Sequence, residues 1–235
     1  MLDELKQRVF QANLELVKRG LVVETWGNAS GIDRSAGCIV IKPSGVPYGQ
    51  LKPADMVVVF CESGEVVEGD LRPSSDTPTH RVLYQAFESI GAVVHTHSLY
   101  ATAWAQARRD VPPLGTTHAD YFCGPIPCTR ALSASEIAAD YEANTGRVIV
   151  ERFSALDPLH FPAVLVAGHG PFAWGESPEK AVENAAVADH LARLASETLR
   201  VEPYPRPISG PLLEKHFFRK HGPSRYYGQD GAAKP

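Results

Sequence analysis

Residues 21–70 contain short β-rich runs that glycine and proline keep apart, and this pattern constrains the fold more than any other feature of the chain. The runs GCIVIKPSG, DMVVVFC and GEVVEG, broken in this way, are typical of a meander of antiparallel strands. Elsewhere strand-like and helical segments are mixed without regular βαβ alternation, and neither GxGxxG nor GxxxxGK[ST] occurs. The sequence therefore predicts an α/β protein in which helices cover a central, mainly antiparallel sheet.

Helical periodicity and capping residues predict the helices, and apolar β-branched runs predict further strands. Helices are expected over 3–19, from Ser75 or Asp76 to 89, through ATAWAQA, from the capping box Ser133-x-x-Glu136 to the residue before Gly146, from Ser177-Pro178 to about Arg200, and through KHFFRKHG. Strands are expected in GAVVHTHS, VIVERF and AVLVAGHG. We expect one domain over 1–229, followed by a frayed tail at 230–235.

Charge and cysteine usage exclude several classes of protein. The formal net charge of -4 and the sequence pI of about 6.1 argue against a general nucleic-acid-binding surface, which would be basic. The sequence has no apolar run of the ~18 residues that a membrane span needs. Its N-terminus lacks an apolar signal segment and its 4 cysteines follow no dense framework, so we expect reduced thiols in a cytoplasmic protein.

Two histidines stand two residues apart in GAVVHTHS, a run that is expected to be a strand. Side chains alternate faces along a strand, so His95 and His97 are expected to point the same way. Neutral imidazole binds zinc and similar ions, and an open catalytic site needs three or four protein ligands. The HxH pattern alone is equally typical of two ordinary histidines at a strand end.

His169 is the candidate third ligand, in the glycine-flanked turn AGHGPF after the apolar run AVLV. Glycine lets a backbone approach a neighbour closely. Asp76, at the start of a helix in PSSDTPTH, is the candidate fourth ligand, although aspartate there is also a common N-cap. With His95 and His97 these residues match a His₃-carboxylate site for a divalent metal. Zn²⁺ suits three imidazoles, and Mn²⁺ or Co²⁺ also fits such a site.

Three short polar turns, WGNAS, KPSG and PSSD, are candidates for phosphate binding. Each offers small residues and backbone N–H groups, and Lys42 adds a positive charge. Ordinary loops have the same composition, so the three turns favour a phosphorylated substrate only in combination with the metal site. For proton transfer the candidates are Asp120, Glu142 and the tyrosines of SRYYG, although terminal tyrosines are also typical packing residues.

The motifs TWGNAS, IKPSGV, PSSDTPTHRVLYQAF, VVHTHS, GTTHADYF, GHGPFAWG and YYGQ together resemble the class II aldolase/adducin-like family. The resemblance extends from the first helix to about Gln229, and GTTHADYF and YYGQ are similar to its sugar-phosphate epimerase branch. It implies a class II aldolase fold, with a central antiparallel sheet covered by helices on both faces. It also implies a cyclic homotetramer whose active sites lie between subunits.

The resemblance also assigns roles to individual residues. His95, His97, His169 and Asp76 match the family's metal ligands. Asp120 and Tyr227 match a catalytic acid–base pair that the neighbouring subunit contributes. The positions that match the substrate and phosphate loops or supporting active-site positions are Gly27, Asn28, Lys42, Ser44, Gly45, Ser74, Ser75, Thr116, Glu142 and His216.

The implied reaction inverts C4 of L-ribulose 5-phosphate and gives D-xylulose 5-phosphate. A divalent metal assists retro-aldol cleavage of C3–C4, and the retained aldehyde rotates before it adds back. Two other activities remain open for this scaffold. One is an aldolase that releases the fragments of a related ketose phosphate. The other is a non-catalytic interaction module like the head of adducin, which would lack metal ligands.

Overall fold

The structure is a computed structural model that describes residues 2–222 and residue 226. Tyr227, the expected domain end at 229 and the tail at 230–235 lie outside the described residues. Within the described part, seven strands form one sheet in the order β4-β3-β2-β1-β5-β7-β6, and each neighbouring pair is antiparallel. The strands are β1 (Asn28–Asp33), β2 (Cys38–Ile41), β3 (Val57–Phe60), β4 (Val66–Glu68), β5 (Ala92–His95), β6 (Ala163–Leu165) and β7 (Pro171–Gly175). The predicted antiparallel sheet is confirmed.

Helices cover both faces of this sheet. They are α1 (Leu2–Lys18), α2 (Thr77–Ala86), α3 (Leu99–Ala107), α4 (Thr116–Ala119), α5 (Ala134–Arg152), α6 (Pro178–Val201) and α7 (Gly210–His221). On one face, α1, α3 and α6 pack against strand residues that include Ala92 and Val94. On the other, α2 and α5 pack against Val93 and Trp174. Alternate residues of β5 therefore lie in two different cores, as the period of two in a strand requires.

The first strand was not predicted, because NASGID reads as a turn-forming segment. Its small residues are explained by the helices that lie on it. A Cβ atom at Gly31 would stand 2.8 Å from the Leu5 Cδ1 atom and 3.1 Å from the Val9 Cγ2 atom of α1, so a larger residue would force these side chains to repack. Asn13 of α1 then forms two hydrogen bonds with the backbone of Ala29, which fixes helix and strand together.

The expected end of α5 before Gly146 and the expected strand VIVERF are both wrong. The helix opens at the Ser133–Glu136 capping box as predicted, but it continues through this run to Arg152. Gly146 has no side chain, and a Cβ atom there would lie 2.7 Å from the Val82 Cβ atom of α2. Glycine at this position therefore serves the close packing of two helices and does not end one. The β-branched residues that follow are helical because Val148 and Ile149 are buried in the protein interior.

The other expected helices are confirmed, although α2 ends at Ala86 and not at 89, and α7 begins at Gly210, before the run KHFFRKHG. The second begins at Thr77 with Asp76 as its N-cap residue, and the longest begins after Ser177, whose side chain accepts a hydrogen bond from Lys180 N. The four cysteines are free thiols, as expected. Among the residues that the structure describes, no helix is long and apolar enough to cross a membrane.

Candidate functional site

Three imidazole rings meet where β5 ends beside the turn between β6 and β7. His95 is the last residue of β5, and it pairs with Asn28 of β1 on one side and with Phe172 of β7 on the other. His97 lies just beyond the strand, and its Nε2 atom is 3.1 Å from His95 Nε2. One ring nitrogen of each of His95, His97 and His169 lies within 4.8 Å of the others. The structure thus brings together the three histidines that the sequence singled out.

The chemistry of these rings suits a divalent cation. The carbonyl oxygen of Pro171 can only accept a hydrogen bond, so His95 Nδ1, 3.0 Å away, must carry the proton. The Nε2 atom of His95 then carries a lone pair that faces the other rings. Burial, with the neighbouring His95 and His97, lowers the pKa of His169 to about 4. Burial also lowers the pKa of His97. Neutral imidazoles are the form that ligates metals.

Asp76 lies beside this cluster without belonging to the group of three. Its Oδ2 atom accepts a hydrogen bond of 2.6 Å from Asn28 Nδ2, and the side chain lines the same pocket as the histidines. Burial opposes ionisation of Asp76, but His95, His80 and the Asn28 hydrogen bond outweigh it and lower the pKa of the carboxyl group. Asp76 does not cap helix α2 with its side chain, so its carboxylate is directed elsewhere than a usual N-cap.

The polar turns predicted to bind phosphate lie together and line the same pocket as the histidines. Pro43 and Pro73 form a β-bridge, and Ser74 N donates to the carbonyl oxygen of Lys42, so two of the turns are held side by side. Gly27, in the third turn, has a φ of +89°, and a Cβ atom there would lie 2.8 Å from His95 O. Only glycine allows this approach without strain, and it places the turn directly against the backbone of His95.

Lys42 is a buried cation, and it forms no ion pair with a carboxylate of residues 2–222. Its side chain lies over the ring of Tyr48, 4.8 Å from the centroid, and Nζ donates to Pro43 O. Burial lowers the pKa of Lys42. The Tyr48 hydroxyl in turn donates to Gly27 O at 2.8 Å, which links this lysine to the neighbouring turn. A buried positive charge beside serine and glycine turns is suited to an anionic group.

The pocket between the histidines and these turns has a volume of about 390 Å³. We call it the histidine pocket. Its lining residues are Thr25, Trp26, Gly27, Asn28, Lys42, Pro43, Ser44, Gly45, Ser74, Ser75, Asp76, His95, His97, Tyr141, Glu142 and His169. The structure therefore brings together all four expected metal ligands and eight of the expected substrate-binding residues, Gly27, Asn28, Lys42, Ser44, Gly45, Ser74, Ser75 and Glu142.

Three other expected site residues lie elsewhere in the same chain. Asp120 directly follows α4, and its carboxylate contacts His216 Nδ1 at 3.0 Å, Arg219 Nη2 at 2.9 Å and Lys220 Nζ at 3.2 Å. We call these four residues the Asp120 cluster. Burial opposes ionisation of Asp120, but hydrogen bonds from His216, Arg219 and Lys220 outweigh it and lower its pKa. Thr116 begins α4, and its carbonyl oxygen accepts a hydrogen bond from Asp120 N. None of these residues lines the histidine pocket.

Tyr227 lies outside the described residues. Sequence reasoning did not single out Trp26 or Tyr141, which also line the histidine pocket. Trp26 is 55% exposed, and its ring centroid lies 6.2 Å from that of His97. Tyr141 stands immediately after a non-helical residue, Asp140, within α5. Nothing in the helical pattern around Tyr141 indicates this break, so only the structure reveals the residue as part of the pocket.

Comparison with known proteins places this geometry in context. Residues 7–196 match the family model described as the class II aldolase and adducin N-terminal domain. The chain is 57% identical over 228 residues to the L-ribulose-5-phosphate 4-epimerase UlaF of Salmonella paratyphi B, and the match covers 97% of this chain and 100% of the relative. The same enzyme of Salmonella typhi is also 57% identical over 228 residues, with the same coverage.

Two solved structures with the same fold are L-fuculose 1-phosphate aldolases. An L-fuculose 1-phosphate aldolase superposes with a TM-score of 0.77 at 25% identity, over 91% of this chain and 94% of that one. The L-fuculose-1-phosphate aldolase of Thermus thermophilus has a TM-score of 0.67 at 23% identity, over 87% of this chain and 100% of its own. The second of these comparisons concerns the fold alone.

Proposed function

The chain belongs to the class II aldolase and adducin family, and on this premise we propose that it inverts C4 of L-ribulose 5-phosphate to give D-xylulose 5-phosphate. The observation that carries the proposal is the histidine pocket. One side of it presents three converging imidazoles, and the other presents Lys42 among serine and glycine turns. These two sides match the two ends of a ketose phosphate, an oxygen-rich end for a cation and a phosphate for the turns.

His95, His97 and His169 would hold a divalent cation, and we assign Asp76 as the fourth ligand. The donor set of three imidazoles favours Zn²⁺ as the native metal, while Mn²⁺ and Co²⁺ also suit it. The bound cation would supply Lewis acidity to the carbonyl and hydroxyl oxygens of the sugar. Asn28 supports this half of the site, because its amide nitrogen donates to the Asp76 carboxylate and its buried Oδ1 has no hydrogen-bond partner among the residues that the structure describes.

The turns of Gly27, Ser44, Gly45, Ser74 and Ser75 would hold the substrate phosphate, with Lys42 supplying charge. Anchoring by the phosphate is what the reaction needs. Cleavage of C3–C4 produces an aldehyde fragment that must rotate and add back on its other face before it leaves. A firm grip on the phosphate leaves the aldehyde carbon free to turn about the intervening bonds while the fragment stays in place.

Thr116, Asp120, His216 and Tyr227 would complete the site from a neighbouring subunit of a homotetramer. Inversion needs proton transfer on both faces of the aldehyde, and we assign Asp120 to one face and Tyr227 to the other. The basic groups around Asp120 favour its ionised form, which accepts a proton, and a phenol can donate one. Glu142 would assist from the histidine pocket.

This arrangement predicts that two defective variants can rescue each other. We would mix His97→Ala and Asp120→Asn subunits, allow them to exchange, and assay the product. If each active site draws on two subunits, about a quarter of the mixed sites regain both intact halves. Activity above that of either parent is expected. Mixtures no more active than the parents would rule out a shared site.

We further propose a cytoplasmic location for the enzyme.

Aldol cleavage with release of the fragments is the second candidate, because the fold is shared with an L-fuculose 1-phosphate aldolase. The deciding experiment incubates metal-loaded protein with L-ribulose 5-phosphate and follows the sugars by NMR, with a chelated sample as control. Metal-dependent xylulose 5-phosphate without free glycolaldehyde phosphate is expected. Free fragments would indicate the aldolase. A chain that binds no divalent metal would instead point to a non-catalytic, adducin-like module.

A further inference from the structure

We propose that Tyr141 is a positioning residue of the metal centre. Its hydroxyl accepts a hydrogen bond from His169 Nδ1–H and so directs His169 Nε2 at the cation. The proposal deepens the function proposed above, since it rests on metal binding by the three histidines.

The contact between the two side chains is direct. The Tyr141 hydroxyl oxygen lies 3.2 Å from His169 Nδ1. The rings are nearly parallel, with an interplanar angle of 29° and centroids 6.0 Å apart. When Nδ1 donates to the hydroxyl oxygen, Nε2 is the nitrogen with a free lone pair. His95 is arranged in the same way, because its Nδ1 donates to Pro171 O and its Nε2 faces His97.

His169 needs such support more than His95 does. The backbone of His95 is paired with strands on both sides, whereas His169 lies in a turn whose preceding residue, Gly168, has a φ of +76°. Within the described part of the chain, the Tyr141 hydroxyl is the recorded hydrogen-bond partner of the His169 ring. Without it, the ring loses the contact that fixes its rotation about χ2 and the oxygen that can accept a proton from Nδ1.

A break in helix α5 aims Tyr141 at His169. Asp140 has φ -148° and ψ 82°, so the helix is interrupted directly before Tyr141. Side-chain hydrogen bonds hold the backbone of the residues that follow the break. Asp140 Oδ1 accepts from Ala143 N, Thr145 Oγ1 donates to Tyr141 O at 2.9 Å, and Thr79 Oγ1 of α2 donates to Glu142 O at 2.6 Å. The kink is thus tied to α2, and it presents two successive side chains, Tyr141 and Glu142, to the pocket.

The test compares wild-type protein with Tyr141→Phe, which keeps the ring and removes only the hydroxyl. Tyr204→Phe is the matched control, because Tyr204 is 90% exposed in the connector before α7. Zn²⁺ affinity is measured by competition with a chromophoric chelator, and the visible absorption of the Co²⁺-loaded protein reports ligand geometry. Side-chain ¹⁵N spectra report which nitrogen of His169 carries the proton. Thermal unfolding of the metal-free proteins checks that the variants fold.

Loss of the hydroxyl should weaken Zn²⁺ binding about tenfold, the lower end of what partners of metal ligands contribute. The Co²⁺ absorption bands should shift, and the His169 Nδ1 proton should exchange faster with water. Tyr204→Phe should match the wild type in all three. Wild-type affinity and spectra in a folded Tyr141→Phe protein would overturn this inference alone. A wild-type chain that binds neither metal would overturn the proposed function together with it.

Discussion

The histidine pocket and the Asp120 cluster hold their side chains by different means. In the pocket, backbone pairing sets the positions: His95 is paired on both sides within the sheet, and Gly27 lies against its carbonyl oxygen. In the Asp120 cluster, ion pairs set the positions, because three basic side chains of α7 surround one carboxylate at the end of α4. Backbone hydrogen bonds of the sheet therefore position the side chains of the histidine pocket, whereas ion pairs position those of the Asp120 cluster.

This difference indicates which substitutions should affect metal binding and which should affect proton transfer. A cation site must keep its ligand atoms within a few tenths of an ångström, and a paired backbone provides that rigidity. A proton-transfer group needs the correct charge more than an immobile backbone. We therefore expect metal binding and proton transfer to fail separately when each region is altered.

The largest effect is expected from His95→Ala. Loss of the most buried ligand should remove the Lewis acid, which contributes several kcal/mol, and lower kcat/KM at least about 1000-fold. Metal content after dialysis and kcat/KM for epimerisation are the measurements. His190→Ala, on the exposed side of α6, is the control and should retain both. A His95→Ala protein that keeps stoichiometric metal would show that the three imidazoles are not the cation site.

Asp120→Asn tests the second region, and it should impair proton transfer without impairing metal binding. The substitution keeps the shape of the side chain and removes its charge, so kcat should fall about 100-fold, as expected for loss of an acid–base group. Zn²⁺ affinity should stay at the wild-type value because Asp120 does not line the histidine pocket. Asp70→Asn, at an exposed position after β4, is the matched control. Loss of metal binding in Asp120→Asn would mean that the two regions are not separate.

Two glycines test how far backbone geometry controls the histidine pocket. Gly27 and Gly45 both have positive φ, but a Cβ atom at Gly27 would meet His95 O at 2.8 Å, whereas one at Gly45 meets nothing within 4 Å. Gly27→Ala should lower the free energy of unfolding by about 2 kcal/mol, and Gly45→Ala by about 1 kcal/mol. Denaturant titration of the metal-free proteins measures both. Equal losses would show that the close approach to His95 carries no cost.

The smallest effect concerns the pH dependence of the Asp120 cluster. The folded state lowers the pKa of Asp120, so its stabilisation is complete above the unfolded value of about 4 and is lost as the pH falls through the lower folded value. The free energy of unfolding of the wild-type protein should exceed that of Asp120→Asn by about 0.5 kcal/mol at pH 7 and at pH 5. The difference should shrink as the pH falls below about 4. Denaturant titrations at several pH values measure this difference, and a constant value at all pH values would exclude the ion pairs as its source.

Much of the histidine pocket could be predicted from local patterns. The run VVHTHS, the glycine-flanked His169 and the three polar turns each carry recognisable residue types at recognisable spacing. Their convergence could not be predicted from the pattern. It depends on the pairing of β5 with β7, which are separated by more than seventy residues and meet with His95 opposite Phe172. Long-range pairing of this kind leaves no mark on either segment alone.

The wrong predictions have a common cause. VIVERF has the β-branched residues of a strand, and NASGID has the small and polar residues of a turn, yet the first is helical and the second is a central strand. In both segments the neighbouring helices decide the outcome, through Gly146 against Val82 and Gly31 against Leu5. Intrinsic preference is a weak guide where packing partners are this close. The sequence does not predict Tyr141 as a pocket residue for a related reason. The helix breaks at Asp140, and no local sequence pattern marks this break.

The pairing of β5 on both edges also limits which insertions and deletions the chain can accept. Loss or gain of one residue within β5 would turn Val93 and Val94 to the opposite cores and swing His95 out of the pocket. The β3–β4 hairpin lies at the rim of the sheet, and the residues of β4 are exposed. We therefore expect relatives of this protein to differ in length at the hairpin, and to show no insertion or deletion within β1, β5 and β7, where Asn28, His95 and Phe172 pair.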